Sequence, residues 1–476
     1  MSTSGPTVDL VINGGTIVSS DASYRASIAI ERGAIHAIGA AEAMPAAREV
    51  LDATGLHVLP GAIDVHVHFR DPGYPQKEDF ASGTAAAAFG GVTTVFDMPN
   101  TLPTVETAKA LSDKHRIAAE KAYVDYGLYA VLGESSIDKV SALIEGGIVG
   151  FKLYMGNTFG RIPTPDTGAM LEAFEVVAPT GKRISLHAET NCIMARRESR
   201  LRAAGRIDPL AHLASRPAIV AVEAVARAAN LAEWTGARIH ILHISSAAEL
   251  RPLADAKARG VDITGETCPH YLLLSEADYG RFGGVIRVNP PVREAANRHP
   301  LWKALRDGTI DMIATDHAPH APDEKTRTDI WTCDCGFPGI ETQMPLMLTE
   351  IANGRGTIED YVRWTAESPA KTWGLYPRKG AITVGSDADI AIVDLNRTWV
   401  IDDTAIQSHA KISPWHGREA TALPIHTLVR GRFAMKNRAL QSDARGWGRS
   451  VHAIQRMPPA ELRNEESTMA AITTRR

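Results

Sequence analysis

Gly61-Ala62-Ile63-Asp64-Val65-His66-Val67-His68-Phe69-Arg70 reads as a short, buried strand ending in two histidines. Side chains two apart in a strand point the same way, so His66 and His68 face one side together and Arg70 continues the series. Seven more apolar runs follow, at 93–97, 124–130, 149–154, 183–188, 238–243, 261–266 and 311–316, each trailed by a stretch with helical spacing. With 62–68 they make eight βα repeats, and strands apolar on both faces suit a parallel sheet buried on both sides. The expected fold is therefore α/β, a closed (β/α)8 barrel, with alanine-rich stretches such as 81–89 and 218–232 in its outer ring.

The ends of the chain have a different texture. Short β-type runs bounded by glycine and proline fill 8–60, and the pattern returns at 381–440. They predict a small composite β-sandwich made from residues 1–60 and 376–440, a barrel at 61–375, and a C-terminal extension at 441–476 that ends in a polar, partly disordered tail. A length of 476 residues suits a barrel of about 250 residues plus a second domain. The net charge of -4 is small for this size, so no nucleic-acid partner is expected. No stretch is apolar and long enough to span a bilayer, and no basic segment followed by an apolar core opens the chain. Cys192, Cys268, Cys333 and Cys335 suit a reducing compartment, and Cys333 and Cys335 read as loop thiols because no second pair stands at zinc-finger spacing. These features together point to the cytoplasm.

Barrel enzymes carry their reacting groups at the C-terminal ends of the strands. Here those ends hold His66, His68, Lys152, His187, His243 and Asp316. One histidine there is ordinarily structural, a lone lysine lays its stem along apolar surface, and a lone aspartate caps the next helix. Four imidazoles, an amine and a carboxylate on one rim form a different object, a donor set for zinc and similar divalent ions. The lysine is the odd member, since an ammonium among cations is repelled. Addition of carbon dioxide to Lys152 would turn its +1 charge into a carbamate of −1 able to bridge two ions.

The strings Gly61–Arg70, Phe151-Lys152-Leu153-Tyr154-Met155 and Ala314-Thr315-Asp316-His317-Ala318-Pro319-His320 resemble the cyclic amidohydrolases of the amidohydrolase superfamily, over roughly residues 8–440. The resemblance implies two divalent metal ions, zinc by expectation, with His66 and His68 on the first and His187 and His243 on the second. It also implies an N6-carboxylysine at Lys152 between them, with Asp316 completing the first site and acting as acid and base. A small cyclic amide as substrate and a homodimer or homotetramer follow from the same resemblance.

Dihydroorotases, allantoinases and hydantoinases share this cluster, so the substrate has to be read elsewhere. A guanidinium at Arg70 is a natural bidentate partner for a carboxylate, unless it simply pairs with Asp71. Arg70, Asn100 and His320 occupy the places where dihydroorotases hold a substrate carboxylate. Lys152–Phe159, Val288–Arg293 and Gly336–Glu341 resemble dihydroorotase loops, and Asn289 is a candidate ring contact. Glu266–Tyr271 and Lys411–Arg418 look more like allantoinases and hydantoinases. The expectation is hydrolysis of dihydroorotate to N-carbamoyl-aspartate, or the reverse cyclisation, with allantoin or a hydantoin as the alternative ring. A non-catalytic scaffold relative is disfavoured because all six ligand positions are filled, and a deaminase because those of this fold usually lack the lysine. Glu266 is weighed as a support for the metal site, while Tyr154 and His270 are expected to pack or orient neighbours.

Overall fold

The computed structural model describes residues 7–160 and 162–456. Eight strands run parallel and neighbour one another in chain order: Ala62–Val67, Val92–Asp97, Asp125–Val131, Gly150–Tyr154, Arg183–His187, Arg238–Ile241, Ile263–Thr267 and Met312–Ile313. The ring is closed by a parallel bridge between Val67 and His317, where the His68 amide donates to the His317 carbonyl at 2.7 Å. Asp64 reinforces the seam, accepting from the Thr315 amide at 3.2 Å and the Thr315 hydroxyl at 2.5 Å. Every residue of the first five strands is buried, as two-sided cover by barrel interior and helices demands. The fold is a (β/α)8 barrel, as the eight apolar runs predicted.

The outer helices are built on small residues. In Ile219–Thr235, Val220, Ala221, Ala224, Val225, Ala228, Ala229 and Ala232 form the buried stripe at helical spacing. Phe80–Phe89 starts at Asp79, whose carboxylate accepts from the Ser82 amide and so satisfies one of the helix's free donors.

Two strands are shorter than their apolar runs, and the cause is local. His243 and Asp316 adopt left-handed backbone, with φ of 42° and 50°, which ends a strand. Arg70 does the same at φ 60°, three residues after its strand stops at Val67. The period-two series therefore does not set where Arg70 points. Such backbone costs roughly 1–3 kcal/mol at a non-glycine residue and gathers where function needs it.

The N- and C-terminal segments share one nine-stranded, mostly antiparallel sheet. His57–Pro60 lies between Val8–Val18 and Ile390–Val400, so the two ends of the chain meet there. The sheet folds around its own apolar core, with Leu10, Ile28, Val58, Ile390 and Leu428 among its members. The beginning of the C-terminal extension packs firmly. The Trp447 indole donates to the Val429 carbonyl at 2.8 Å, Arg449 accepts from the Tyr126 amide at 2.9 Å, and Val451 is buried with Phe96, Tyr129 and Trp373 at the foot of the barrel. Residues 457–476 lie outside the described residues. Among the described residues, no helix is long and apolar enough to cross a membrane.

Candidate active site

The C-terminal strand ends surround a narrow cavity of about 20 Å³. His66, His68, Lys152, His187, His243 and Asp316 all stand on its wall. They form two facing sets. His66 Nε2 and His68 Nε2 each lie 3.2 Å from Asp316 Oδ1, and across the cavity His187 Nδ1 lies 2.8 Å from His243 Nε2. Donors bound to one zinc-like ion at about 2.1 Å and tetrahedral angles stand about 3.4 Å apart, so the first set already has the spacing of shared coordination. His66, His68 and Asp316 can hold a metal ion on geometry alone.

The remaining ring nitrogens of His66, His68 and His187 are held from behind, which fixes the orientation of those imidazoles. His66 Nδ1 is 2.6 Å from Glu266 Oε1, and the other oxygen of Glu266 is 3.0 Å from His240 Nε2 inside the barrel. His68 Nδ1 donates to Asn100 Oδ1 at 2.7 Å, and His187 Nε2 to Glu189 Oε2 at 3.1 Å. Burial, helped by the Lys152 ammonium, lowers the pKa of His66 and His243, and burial with Arg70 lowers that of His68. Neutral imidazole is the ligand form.

Lys152 is buried, and that burial brings its amine down to about 7 against the pull of Asp316 and Glu266. A neutral amine is the form that adds carbon dioxide. Burial lifts Asp316 to about 6, opposed by His270 and Lys152, into the range where a carboxyl both takes and gives protons near neutrality.

The substrate-side expectations divide. Arg70 lines the cavity with its guanidinium 4.4 Å from the Phe159 ring. One nitrogen, Nη2, is 3.1 Å from His320, while Nε and Nη1 have no partner among the described residues. The alternative, a local pairing with Asp71, is not made, since Asp71 takes Lys121 at 2.7 Å. Asn100 and Asn289 are on the wall, but their carbonyl oxygens are taken by His68 and by His212 at 2.9 Å. His320 stands behind Arg70, off the wall, within 3.2 Å of Lys77 and Asp334. His320, Glu324 and Asp334 have the composition of a second metal group, yet the Lys77 ammonium sits 2.9 Å from both carboxylates, where a cation would be.

Tyr154, expected to pack or orient neighbours, lines the cavity, and its buried hydroxyl has no partner among the described residues. Sequence reasoning missed two features. Glu189 and its buried partner Arg216 gave no signal, because their pairing follows no helical or strand spacing. Glu266, weighed as a support, is one, and His240 behind it was not foreseen.

Comparison with known proteins agrees with this geometry. The amidohydrolase family model matches residues 57–434. An allantoinase of Deinococcus radiodurans is 35% identical over 92% of this chain and 98% of its own length. An L-hydantoinase of Paenarthrobacter aurescens is 35% identical over 89% of this chain and 93% of its own. Among solved structures, the L-hydantoinase (dihydropyrimidinase) from Arthrobacter aurescens superposes with a TM-score of 0.90 at 33% identity, covering 93% of this chain and 99% of that one. The dihydropyrimidinase from Brevibacillus agri NCHU1002 gives 0.87 at 30% identity, covering 93% and 98%. With catalytic-type side chains gathered at the barrel mouth and relatives of this kind along nearly its whole length, the chain belongs to the amidohydrolase family and is a cyclic amidohydrolase that cleaves C–N bonds in cyclic amides.

Proposed function

We propose that this enzyme opens a five-membered ureide or hydantoin ring at a two-metal centre. The observation that carries the proposal is the pair of facing donor sets, His66–His68–Asp316 and His187–His243, with Lys152 on the same wall. In this reading each set would hold one divalent ion, zinc by expectation, and Lys152, carboxylated, would add a further negative ligand. Two such ions, when bound, acidify a water to near neutrality and polarise a ring carbonyl.

The chain's own groups do the rest. Asp316 takes the proton of the attacking water and delivers it to the departing ring nitrogen, which otherwise leaves poorly. The Tyr154 hydroxyl, kept protonated because burial raises its pKa, donates to the oxygen that gains charge as the carbonyl is attacked. Asn289 borders the ring, while His68 is steadied by Asn100.

Dihydroorotate, the first expectation from the sequence, gives way to this alternative. The two sequence relatives reported above are an allantoinase and an L-hydantoinase, and of the three expected carboxylate partners His320 lies off the wall, while Arg70 keeps two guanidinium nitrogens without a partner among the described residues. Those free donors favour a second reading, in which the ring carries an acidic substituent. Protein supplied with zinc and bicarbonate should open allantoin or a 5-substituted hydantoin faster than dihydroorotate. Preference for dihydroorotate would overturn the ring assignment. Loss of the acidic substrates alone in Arg70→Ala would establish the second reading.

A further inference from the structure

The two halves of the centre are anchored differently. Behind His66 the anchors, Glu266 and His240, belong to barrel strands. Behind His187 the anchor is Glu189, a fully buried carboxylate just past its strand, and its counter-ion comes from elsewhere. Arg216, directly after the helix Pro209–Ser215, donates through Nη1 to the same Glu189 oxygen that receives His187. Its other terminal nitrogen, Nη2, donates to the Asn157 carbonyl at 2.9 Å. Asn157 immediately precedes Thr158 and Phe159, which line the cavity, and Phe159 lies over Arg70. Arg293 donates to the Arg216 carbonyl and, at 3.1 Å, to Ser245, two residues beyond His243. One guanidinium therefore touches both the acid that aims a metal-side imidazole and the loop that walls the substrate.

We propose that Arg216 is a positioning residue that couples the Asn157–Phe159 loop to the His187 half of the centre, so that substrate contact and second-ion binding reinforce one another. The fork of a guanidinium is what makes this feasible, because an ammonium offers no rigid pair of parallel donors. Without Arg216, Glu189 becomes a buried charge with no directly bonded counter-ion, and the loop carbonyl loses a charge-assisted hydrogen bond. The role rests on His187 and His243 binding the second ion, as proposed above.

The test uses metal-loaded protein and three variants, reading metal content, KM against kcat, and deuterium exchange of a peptide covering 155–160. Arg216→Gln should lose one metal equivalent, raise KM by roughly 10–100-fold, as the loss of one hydrogen bond to a charged group implies, and speed exchange in the loop. Arg216→Gln with Glu189→Gln removes both buried charges, so metal content should recover while KM and loop exchange stay high. Arg216→Lys, the fallback if the glutamine variant fails to fold, should keep both metals and still raise KM. Recovery of KM and exchange together with metal in the double variant would show a purely structural ion pair and overturn the coupling. So would wild-type behaviour of Arg216→Lys. If the wild-type protein itself holds at most one ion, the two-metal reading falls instead, and the two failures are thereby told apart.

Discussion

The mouth and the foot of this barrel both bury charged groups, with opposite results. At the foot, the Lys379 ammonium lies 2.6 Å from Asp125 and also bonds Asp389, while Arg430 bonds Asp125 through its side chain. Burial works against ionisation there, yet the partners outweigh it at three of the four groups: Asp125 is held down at about 2, and Lys379 and Arg430 are raised, while Asp389 alone is lifted by burial. At the mouth burial prevails, and Lys152, Asp316 and the histidines are all driven toward their neutral forms. Charges that satisfy one another build architecture, whereas charges left needing something from outside mark the place where something binds. The division agrees with the general separation of stability and catalysis between the two faces of such barrels.

Four variants or conditions press on that contrast, beginning with the largest effect. Asp316→Asn should lower kcat by about 10²–10⁴-fold with the unfolding midpoint nearly unchanged. A variant that unfolds, or one that turns over normally, breaks the contrast at the mouth. Arg430→Met should cost about 1–3 kcal/mol in denaturant unfolding, because it removes one of the two cations that hold Asp125, while the folded fraction keeps its kcat/KM. Loss of activity without loss of stability would make the foot functional. Arg70→Ala should raise KM for acid-bearing rings by roughly 10–100-fold and leave neutral rings alone, as steady-state kinetics on matched substrates would reveal.

The smallest effect is one of pH. Asp125 has a lowered pKa, so its contribution, about 2 kcal/mol, is complete above pH 4 and disappears between about pH 4 and 2. Asp389 is raised to about 6 by burial and has the opposite sign, opposing the fold above pH 4 and ceasing to do so as it gains a proton below pH 6. Unfolding curves of wild type and Asp125→Asn across this range should converge toward pH 2. A constant offset would mean that the foot does not titrate as described.

What was legible in the sequence followed from period and position. Two-sided burial forces continuous apolar runs, which is why all eight barrel strands could be read, and ligands placed at their ends inherit that register. The misreadings begin where the backbone leaves the strand. Arg70 reaches the cavity through left-handed backbone at φ 60°, and its direction came from no alternation. Arg216 and Glu189 meet across separate segments, and His240 meets Glu266 across two strands, so neither pair has a spacing to recognise. Trp447 and Val451 sit in a polar stretch whose average composition hides a half-buried and a fully buried anchor.

The shared sheet also has a consequence for how the protein is made. His57–Pro60 receives its partner strand from Ile390–Val393, so roughly 330 residues must emerge from the ribosome before that pairing can form. At ordinary rates of about 5–20 residues per second, one backbone edge of the first-made strands stands open for roughly 20–60 s. Throughout that interval it is a template for other nascent chains. The last hundred residues, far from the chemistry, decide whether the first sixty reach the native sheet or are captured by a neighbour, and yield on expression should depend on them more than turnover does.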